Sequence, residues 1–455
     1  MREKISYGFG DMSSSMFWKI FGMYLLYFYT DVFGLSPAAV GTMFFVTRIW
    51  DAVNDPIFGL LADRTESRWG KFRPWILFGA LPFSVFGVLT FVVPPEGWAP
   101  WIRLLYAYVT YTLMMMVYSA VNVPYASLLG VISFDAHDRN ALSSCRMFFA
   151  YTGSLVALGM TEPLVRHFSD ALHSEASGWT LTMATVGLLC TLLLLLCFRG
   201  VRERVRSADD DKVSVVQDLK DLFLHNRPWW ILLGAGITAL IFNSIRDGAA
   251  IYYFKYYVRQ DDCSVFGGFF TLSALYLMTG QLSNMLGVSL SAPLADRFGK
   301  KRVYTAAMSL AAVLSLFFYL LRPEQTVMMF VLQVMISLCA GSIFPLLWSM
   351  YADIADWSEW KTGRRATGLI FSSSSMSQKI GWTIGGALTG WLLSSYGFQA
   401  NEAQSAGTLS GIRAMLGWLP AVGAVVSALL IGLYPLDDKT MSEVAAGLGA
   451  SRLSK

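Results

Sequence analysis

The sequence predicts an all-α polytopic membrane protein, and three observations support that fold class. Of the 455 residues, 55% are hydrophobic and only 15% are charged, whereas a soluble domain carries about 25% charged residues. The mean hydropathy is +0.49. Apolar stretches recur along the whole chain, and each is close to the roughly 20 residues that a helix needs to cross a bilayer. The first stretch is too long and too aromatic for a cleaved signal peptide, so we interpret it as the first span.

Hydropathy and helix-breaking residues divide the chain into six spans plus six, separated by a charged loop. The predicted spans lie at residues 12–33, 38–62, 74–95, 102–131, 141–166, 178–198, 229–257, 264–292, 302–321, 326–352, 366–395 and 409–434. The predicted organisation is therefore an N-terminal half over 1–198, a middle loop over 199–228, a C-terminal half over 229–435 and a tail over 436–455.

Lysine and arginine concentrate in alternate loops of this arrangement. Basic clusters follow the second, sixth, eighth and tenth spans, at residues 64–73, 199–206, 297–302 and 361–365. The first of the opposite loops, residues 31–36, has no basic residue. The positive-inside rule then places both termini and the middle loop in the cytoplasm.

Two carboxylates and an amide lie inside the second predicted span, at Asp51, Asn54 and Asp55. On a helix, Asp51 and Asp55 are one turn apart and Asn54 lies beside both, so three oxygens share one face. A buried charge in lipid is costly, and an ionisable pair at this depth therefore indicates a functional site. Clustered hard oxygens suit a proton or a small cation. The alternative is that Asp51 simply pairs with Arg48, three residues earlier.

A motif at the end of the second span recurs at the end of the eighth. Residues 59–64, with the pair 70–71, correspond to residues 291–302. Recurrence at equivalent positions of two halves indicates a parallel repeat. The second copy resembles the cytoplasmic signature of the major facilitator superfamily, although Ser291 departs from it. The resemblance implies twelve transmembrane helices in two six-helix bundles, with alternating access to a central site. It also implies gate residues at Asp63, Arg64, Gly70, Lys71, Asp296 and Arg297.

Further motifs in both halves narrow the resemblance. Residues 7–11, 29–31, 48–56, 67–75, 122–125 and 352–365 resemble the glycoside–pentoside–hexuronide:cation symporters, the group that includes the melibiose permease. The resemblance implies a secondary active symporter that imports a sugar together with Na⁺ or H⁺. It adds four residues after the tenth span to the expected gate: Asp353, Asp356, Glu359 and Arg365.

In that family the coupling cation is held between the second and fourth spans. The matching positions here all bear oxygen: Asp51, Asn54, Asp55 and Ser119. Ser119 stands where the melibiose permease has a threonine, so a hydroxyl is kept. Asn54 makes Na⁺ a suitable ion, and a buried carboxylate can also carry a proton. Both ions stay open.

The expected sugar site resembles that of the melibiose permease only in part. Tyr118, Arg146 and Lys379 match family positions associated with sugar. Ser15 and Asn122 replace two aspartates and still offer hydrogen bonds, so we expect a substrate other than an α-galactoside. A further candidate is Phe344, which aligns near a sugar-associated tryptophan; we expect Pro345 to break its helix.

Basic residues at membrane depth leave two alternatives for the charge of the sugar. Lys19 shares one face of the first span with Ser15 and Asp11. If Lys19, Arg146 and Lys379 converge, the site favours an anionic sugar such as a hexuronide, which an H⁺-coupled carrier would take up. If these cations instead pair with the aspartates, neutral glycosides or pentosides fit better, and we expect the latter.

Other functional classes find little support in the sequence. Five scattered cysteines give neither a disulfide framework nor a thiolate metal site, and no histidine lies well inside a predicted span, so we do not expect an enzyme. A membrane sensor that binds sugar without moving it stays an alternative. We expect no cofactor besides the coupling ion and no nucleic-acid partner. The expected partners are a sugar, a cation and the lipid bilayer, for a monomer in the bacterial cytoplasmic (inner) membrane.

Overall fold

The computed structural model describes residues 2–95, 97–132, 136–204, 226–259, 270–362 and 367–453, and its elements are helices. In the N-terminal half they are α1 (Arg2–Tyr27, continued by a π-helical segment, Phe28–Val32), α2 (Pro37–Asp63), α3 (Arg73–Thr90), α4 (Pro100–Ile132), α5 (Ala136–Leu172) and α6 (Glu175–Gly200). In the C-terminal half they are α7 (Arg227–Tyr252, continued by a π-helical segment, Tyr253–Val258), α8 (Leu272–Phe298), α9 (Lys300–Tyr319), α10 (Thr326–Thr362), α11 (Thr367–Ser395), α12 (Ala406–Leu416), α13 (Trp418–Gly432) and α14 (Asp438–Leu453).

Helical structure overlaps each predicted span, and the all-α membrane fold class is confirmed. By length and composition, seven helical segments of the described chain are able to cross a membrane: Arg73–Thr90, Pro100–Leu129, Glu175–Gly200, Arg227–Val258, Lys300–Tyr319, Thr326–Lys361 and Ala406–Gly432. Helices α1, α2, α5, α8 and α11 of the described chain do not reach that criterion. The count of twelve spans stays a prediction.

Polar side chains set the start of several helices. Ser36, Ser174, Asn226 and Ser405 each accept a hydrogen bond from the backbone N–H three residues later. Such N-caps satisfy one of the amides that a helix start leaves without an intrahelical partner. In α2 the cap is followed at once by Pro37, which needs no hydrogen bond at that position.

Two expectations about individual helices are wrong. Helix α10 runs through Pro345 without a break, because transmembrane helices tolerate proline where neighbouring groups satisfy the freed backbone. The last span is not continuous, because it divides at Gly417 into α12 and α13. A side chain on Gly417 would meet the Cβ of Tyr319 at 2.6 Å, so the break packs directly against α9.

A buried arginine holds this break in place. Arg246 of α7 is 5% exposed, and its Nη1 donates to the carbonyl oxygen of Leu416, the last residue of α12. Its Nη2 donates to Oε1 of Gln333 at 2.9 Å. The carbonyls at a helix end have no intrahelical donors, and this guanidinium supplies one at the point where the helix divides.

The chain forms two compact units. The first comprises Met1–Asp210, Gln260–Met278 and Gly390–Gln404, and the second comprises Asp211–Arg259, Thr279–Thr389 and Ser405–Lys455. In the first unit, α1 packs along α5 and α6, α3 packs on α4 and α6, and α2 packs on α4. In the second, α13 packs on α7 and α9, and α10 packs on α9. The first unit thus contains two segments from the C-terminal half of the sequence.

The repeated motif is visible in the backbone. Gly70 and Gly299 occupy equivalent positions before α3 and α9, and both have positive φ, at +110° and +88°. Positive φ is readily adopted only by glycine. At Gly70 the space is also closed, because a Cβ would lie 2.4 Å from the carboxyl carbon of Glu203.

Glu203 caps α3 from a distant part of the sequence. Its Oε2 accepts from the Lys71 N–H at 2.8 Å, and its Oε1 accepts from the N–H groups of Phe72 and Arg73 at 2.8 and 3.0 Å. A carboxylate at a helix N-terminus satisfies free amides and interacts favourably with the helix dipole. The segment after α6 is therefore attached to the α2–α3 loop.

We predict that Glu203→Ala lowers the stability of the protein by about 1–2 kcal/mol, because it leaves three amides at the start of α3 without their acceptor. Glu203→Gln keeps one acceptor oxygen without the charge, so its stability should lie between those of the wild-type protein and Glu203→Ala. Thermal unfolding in detergent measures the effect, with Glu324→Ala at an exposed glutamate as the matched control. Equal melting temperatures for Glu203→Ala and the control would contradict the capping role.

Candidate functional site

Asp51 is the most buried carboxylate of the predicted cation site. Its side chain is 2% exposed, and the Ser119 hydroxyl of α4 donates to its Oδ1 at 2.9 Å. Its Oδ2 lies 3.5 Å from Nη1 of Arg48. The structure thus brings together the predicted pair Asp51 and Ser119 from two helices. It also contains the ion pair with Arg48 that the sequence offered as the alternative.

The other two predicted cation residues extend the same helix. Asn54 is 3% exposed, and its amide nitrogen has no hydrogen-bond partner among the described residues. Asp55 is partly buried and has a partner in the protein. The unmatched atom is a donor, so it does not itself bind a cation, and it is the side-chain oxygen of Asn54 that can serve as a ligand.

Arg48 is held from a second direction by an aromatic ring. Its guanidinium carbon lies 4.3 Å from the ring centroid of Trp18 on α1. Trp18 in turn packs against Tyr118 of α4, with ring centroids 5.7 Å apart. A guanidinium over an indole face is an attractive cation–π arrangement. Arg48 therefore connects the Asp51 carboxylate to the aromatic pair Trp18 and Tyr118.

A second ion pair joins α1 to α5. Nε of Arg146 donates to Oδ2 of Asp11 at 2.9 Å, and the guanidinium carbon lies 5.3 Å from the ring centroid of Tyr125. Tyr125 stacks on Tyr7 with centroids 4.8 Å apart, and its hydroxyl donates to the Tyr7 carbonyl at 2.7 Å. This pairing agrees with the alternative in which basic residues at membrane depth are neutralised by aspartates.

Tyr118 is within electrostatic range of both ion pairs, Asp11 with Arg146 and Arg48 with Asp51. Its phenol can donate or accept a hydrogen bond, and its ring offers a face for stacking. The first unit thus contains one polar cluster made of two ion pairs around an aromatic residue.

The remaining predicted sugar residues are distributed over both units. Ser15 and Lys19 on α1 and Asn122 on α4 belong to the first unit and are partly buried. The Asn122 side-chain oxygen has no hydrogen-bond partner among the described residues. Phe344 on α10 and Lys379 on α11 are partly buried and belong to the second unit.

The predicted gate residues lie at helix ends. Asp63 ends α2, Arg64 is its exposed C-cap, and the Lys71 N–H after Gly70 donates to Glu203. In the second copy Asp296 and Arg297 are exposed at the end of α8, and Lys300 Nζ donates to both oxygens of Asp353 at 2.8 Å. Asp356 and Glu359 lie partly buried on α10, each with a partner in the protein. The Asp63 side chain and Arg365 lie outside the described residues.

A polar cluster that the sequence analysis did not identify surrounds Glu162 of α5. Its carboxylate accepts hydrogen bonds from the hydroxyls of Thr271 and Ser273, the latter at 3.1 Å. Thr271 also caps α8 by accepting from the Ala274 N–H at 3.0 Å. A glutamate inside a predicted span was the available signal, but its partners lie more than 100 residues away in the sequence.

The fold and this arrangement define a helical membrane transporter. The crystal structure of a D-xylose–proton symporter superposes with a TM-score of 0.67 at 16% identity, covering 96% of this chain and 98% of that chain. That likeness shows the major facilitator fold.

A family model described as MFS/sugar transport protein matches residues 6–438, and the chain belongs to that family. It is 36% identical to the putative glycoside/cation symporter YagG of Escherichia coli, over 98% of this chain and 95% of that protein. It is 34% identical to the isoprimeverose transporter of Lactiplantibacillus pentosus, over 96% of this chain and 88% of that protein. The predicted family is confirmed, and the chain is a transporter, not an enzyme.

We predict that Glu162→Ala loosens the start of α8. The substitution removes the acceptor of two largely buried hydroxyls, Thr271 and Ser273, which are 8% and 5% exposed. Local opening becomes easier where hydrogen bonds are lost, so amides 272–276 should exchange with deuterium faster. Hydrogen-exchange mass spectrometry measures this, with Asp170→Ala at an exposed position of the same helix as control. Unchanged exchange of these amides would show that Glu162 does not hold α8.

Proposed function

We propose that the protein is a secondary active symporter that imports a sugar, a glycoside or pentoside, together with Na⁺ or H⁺ by alternating access. The observation that carries the proposal is the buried Asp51 carboxylate in a chain of the MFS/sugar transport family. Ser119 of α4 donates a hydrogen bond to it, and Arg48, one turn earlier on α2, forms an ion pair with it. Relatives named as a putative glycoside/cation symporter and an isoprimeverose transporter support a sugar substrate.

The ion half of the mechanism is an exchange of partners at Asp51. In the described state its charge is balanced by Arg48. A coupling ion that binds Asp51, with oxygens of Ser119, Asn54 and Asp55, competes with Arg48 for the same carboxylate. Arg48 also rests on Trp18, a contact that does not depend on the charge of Asp51. The ion therefore alters the surroundings of Trp18 and Tyr118.

We assign the sugar half to Tyr118, Arg146 and Asn122, with Ser15 and Lys19 on α1, all in the first unit. Phe344 and Lys379 of the second unit stay sugar-binding candidates from the resemblance. Hydroxyl groups of a sugar need both donors and acceptors, and its apolar ring face packs on aromatic rings. If sugar and ion favour the same conformation, each raises the affinity of the other by the same factor. The gate residues at the helix ends then control which side of the membrane reaches the site.

The chain is a multi-pass membrane protein, and we place it as a monomer in a bacterial cytoplasmic membrane with both termini inside. The alternating basic loops support that orientation. Ion-dependent sugar uptake into proteoliposomes, tested with and without Na⁺ at several pH values, decides between the two ions. A membrane sensor would bind sugar without any flux, and that result would overturn the proposal.

We predict that Asp51→Asn or Asp55→Asn abolishes ion-driven accumulation of sugar, because an amide cannot supply the charge that the ion binds. Sugar exchange between the two sides needs no ion gradient and should survive. Uptake against a gradient and counterflow in proteoliposomes measure the two activities separately, with Asp170→Asn as the exposed control. Normal uphill uptake in both variants would refute the assignment.

We predict that Ser119→Ala raises the half-saturating concentration of the coupling ion by about tenfold, about 1.4 kcal/mol, because the bound ion loses the hydroxyl oxygen as one of its ligands. Ser119→Thr keeps the hydroxyl and should stay near the original value. The matched control is Ser127→Ala on the same helix, where the exposed hydroxyl donates only to the Val123 carbonyl. The role of Ser119 fails if the alanine and threonine variants have the same ion dependence.

A further inference from the structure

We infer that Asp11 is a specificity-determining residue: by neutralising Arg146, its carboxylate makes the site select uncharged sugars and reject sugar carboxylates. The inference rests on the proposed sugar symport and on the placement of Arg146 in the sugar half of the site. Asp11 itself is not among the residues that the sequence assigned to sugar.

Asp11 and Arg146 differ in how far their side chains are exposed. The Asp11 side chain is 11% exposed, whereas 26% of the Arg146 side chain stays exposed. Asp11 binds Arg146 through Nε, and the guanidinium lies against the face of Tyr125. Asp11 is therefore the buried counter-charge, and Arg146 is the member that a ligand reaches.

The charge balance around Arg146 decides which ligand fits. An arginine without a counter-charge at membrane depth would attract a carboxylate and bind it with two hydrogen bonds. With Asp11 in place, an incoming carboxylate must either displace Asp11 or be buried beside it. Both outcomes leave one negative charge without a partner, which is costly in a low-dielectric site. A sugar hydroxyl adds no charge and meets no such penalty.

The other ion pair of the first unit does not supply a spare positive charge, because Arg48 is paired with Asp51. Both arginines are thus compensated by aspartates before any substrate binds. This favours neutral glycosides or pentosides over hexuronides.

A purely structural role for the pair makes a different prediction. Asp11 and Arg146 join α1 to α5, two helices that pack along each other. If the ion pair only holds these helices together, then removing Asp11 lowers the uptake of every sugar by the same factor. If Asp11 sets the charge of the site, then neutral and acidic sugars respond in opposite directions.

The test compares two probes that differ only at the sugar C6 position, p-nitrophenyl β-glucoside and p-nitrophenyl β-glucuronide. Their uptake by counterflow is measured in proteoliposomes that contain wild-type protein, Asp11→Asn or Asp11→Glu. In Asp11→Asn we expect the ratio of glucuronide to glucoside uptake to rise at least tenfold, because Arg146 has lost its counter-charge. Asp11→Glu keeps the charge and should keep the wild-type preference for the glucoside.

Two further variants serve as controls for this test. Asp11→Ser removes the charge with a side chain of a different shape, and we expect it to raise the ratio of glucuronide to glucoside uptake as well. The result therefore does not depend on the folding of a single variant. Asp170→Asn makes the same charge change at an exposed position of α5 and must leave the ratio unchanged. An unchanged ratio in folded Asp11→Asn or Asp11→Ser overturns the inference but not the transport function. Absence of flux for every sugar in the wild-type protein overturns both.

Discussion

A charge buried at membrane depth must be compensated inside the protein, and this constraint organises the site. Water is absent there, so an unpaired ion or backbone carbonyl costs several kcal/mol. The first unit meets the constraint with two ion pairs, Arg48 with Asp51 and Arg146 with Asp11. These pairs join charged residues of α1, α2 and α5 within the first unit.

Other basic side chains satisfy the same constraint in a different way. Arg246 donates to the carbonyl of Leu416, Arg413 to that of Tyr319 at 2.6 Å, and Arg73 to that of Phe198 at 2.7 Å. Each acceptor lies at or near the end of a helix, where carbonyls lack intrahelical donors and the helix dipole favours a positive charge. A carbonyl can neither take up a proton nor change its charge. These arginines are therefore structural, whereas the two paired with aspartates can exchange partners with an ion or a substrate.

The sequence predicted what depends on local pattern. Hydropathy placed the spans, and the spacing of Asp51, Asn54 and Asp55 placed three polar groups on one helix. The repeated motif located Gly70 and Gly299, both of which adopt the positive φ that their turns require. Resemblance to the family supplied Ser119, which the structure brings to Asp51 across two helices.

The features that the sequence did not reveal depend on contacts between distant segments. Nothing near Glu203 shows that it caps α3 more than 100 residues earlier, and nothing near Glu162 points to Thr271. The break at Gly417 follows from its packing on Tyr319 and from Arg246, neither of which is its neighbour in sequence. At Pro345 the sequence predicted a break that the structure does not have, since a helix-breaking residue is tolerated where the surrounding helices satisfy the backbone.

The two exchangeable ion pairs are connected by a single helix. Asp11, which balances Arg146, and Trp18, which supports Arg48, are both on α1 and are seven residues apart. Seven residues are close to two helical turns, so both side chains project from nearly the same face. In the proposed mechanism, an ion that displaces Arg48 from Asp51 alters the contact of Arg48 with Trp18, and a sugar that binds Arg146 alters its ion pair with Asp11. Because α1 carries both Trp18 and Asp11, we propose it as the element through which ion and sugar favour the same state, as the reciprocity of coupled binding requires.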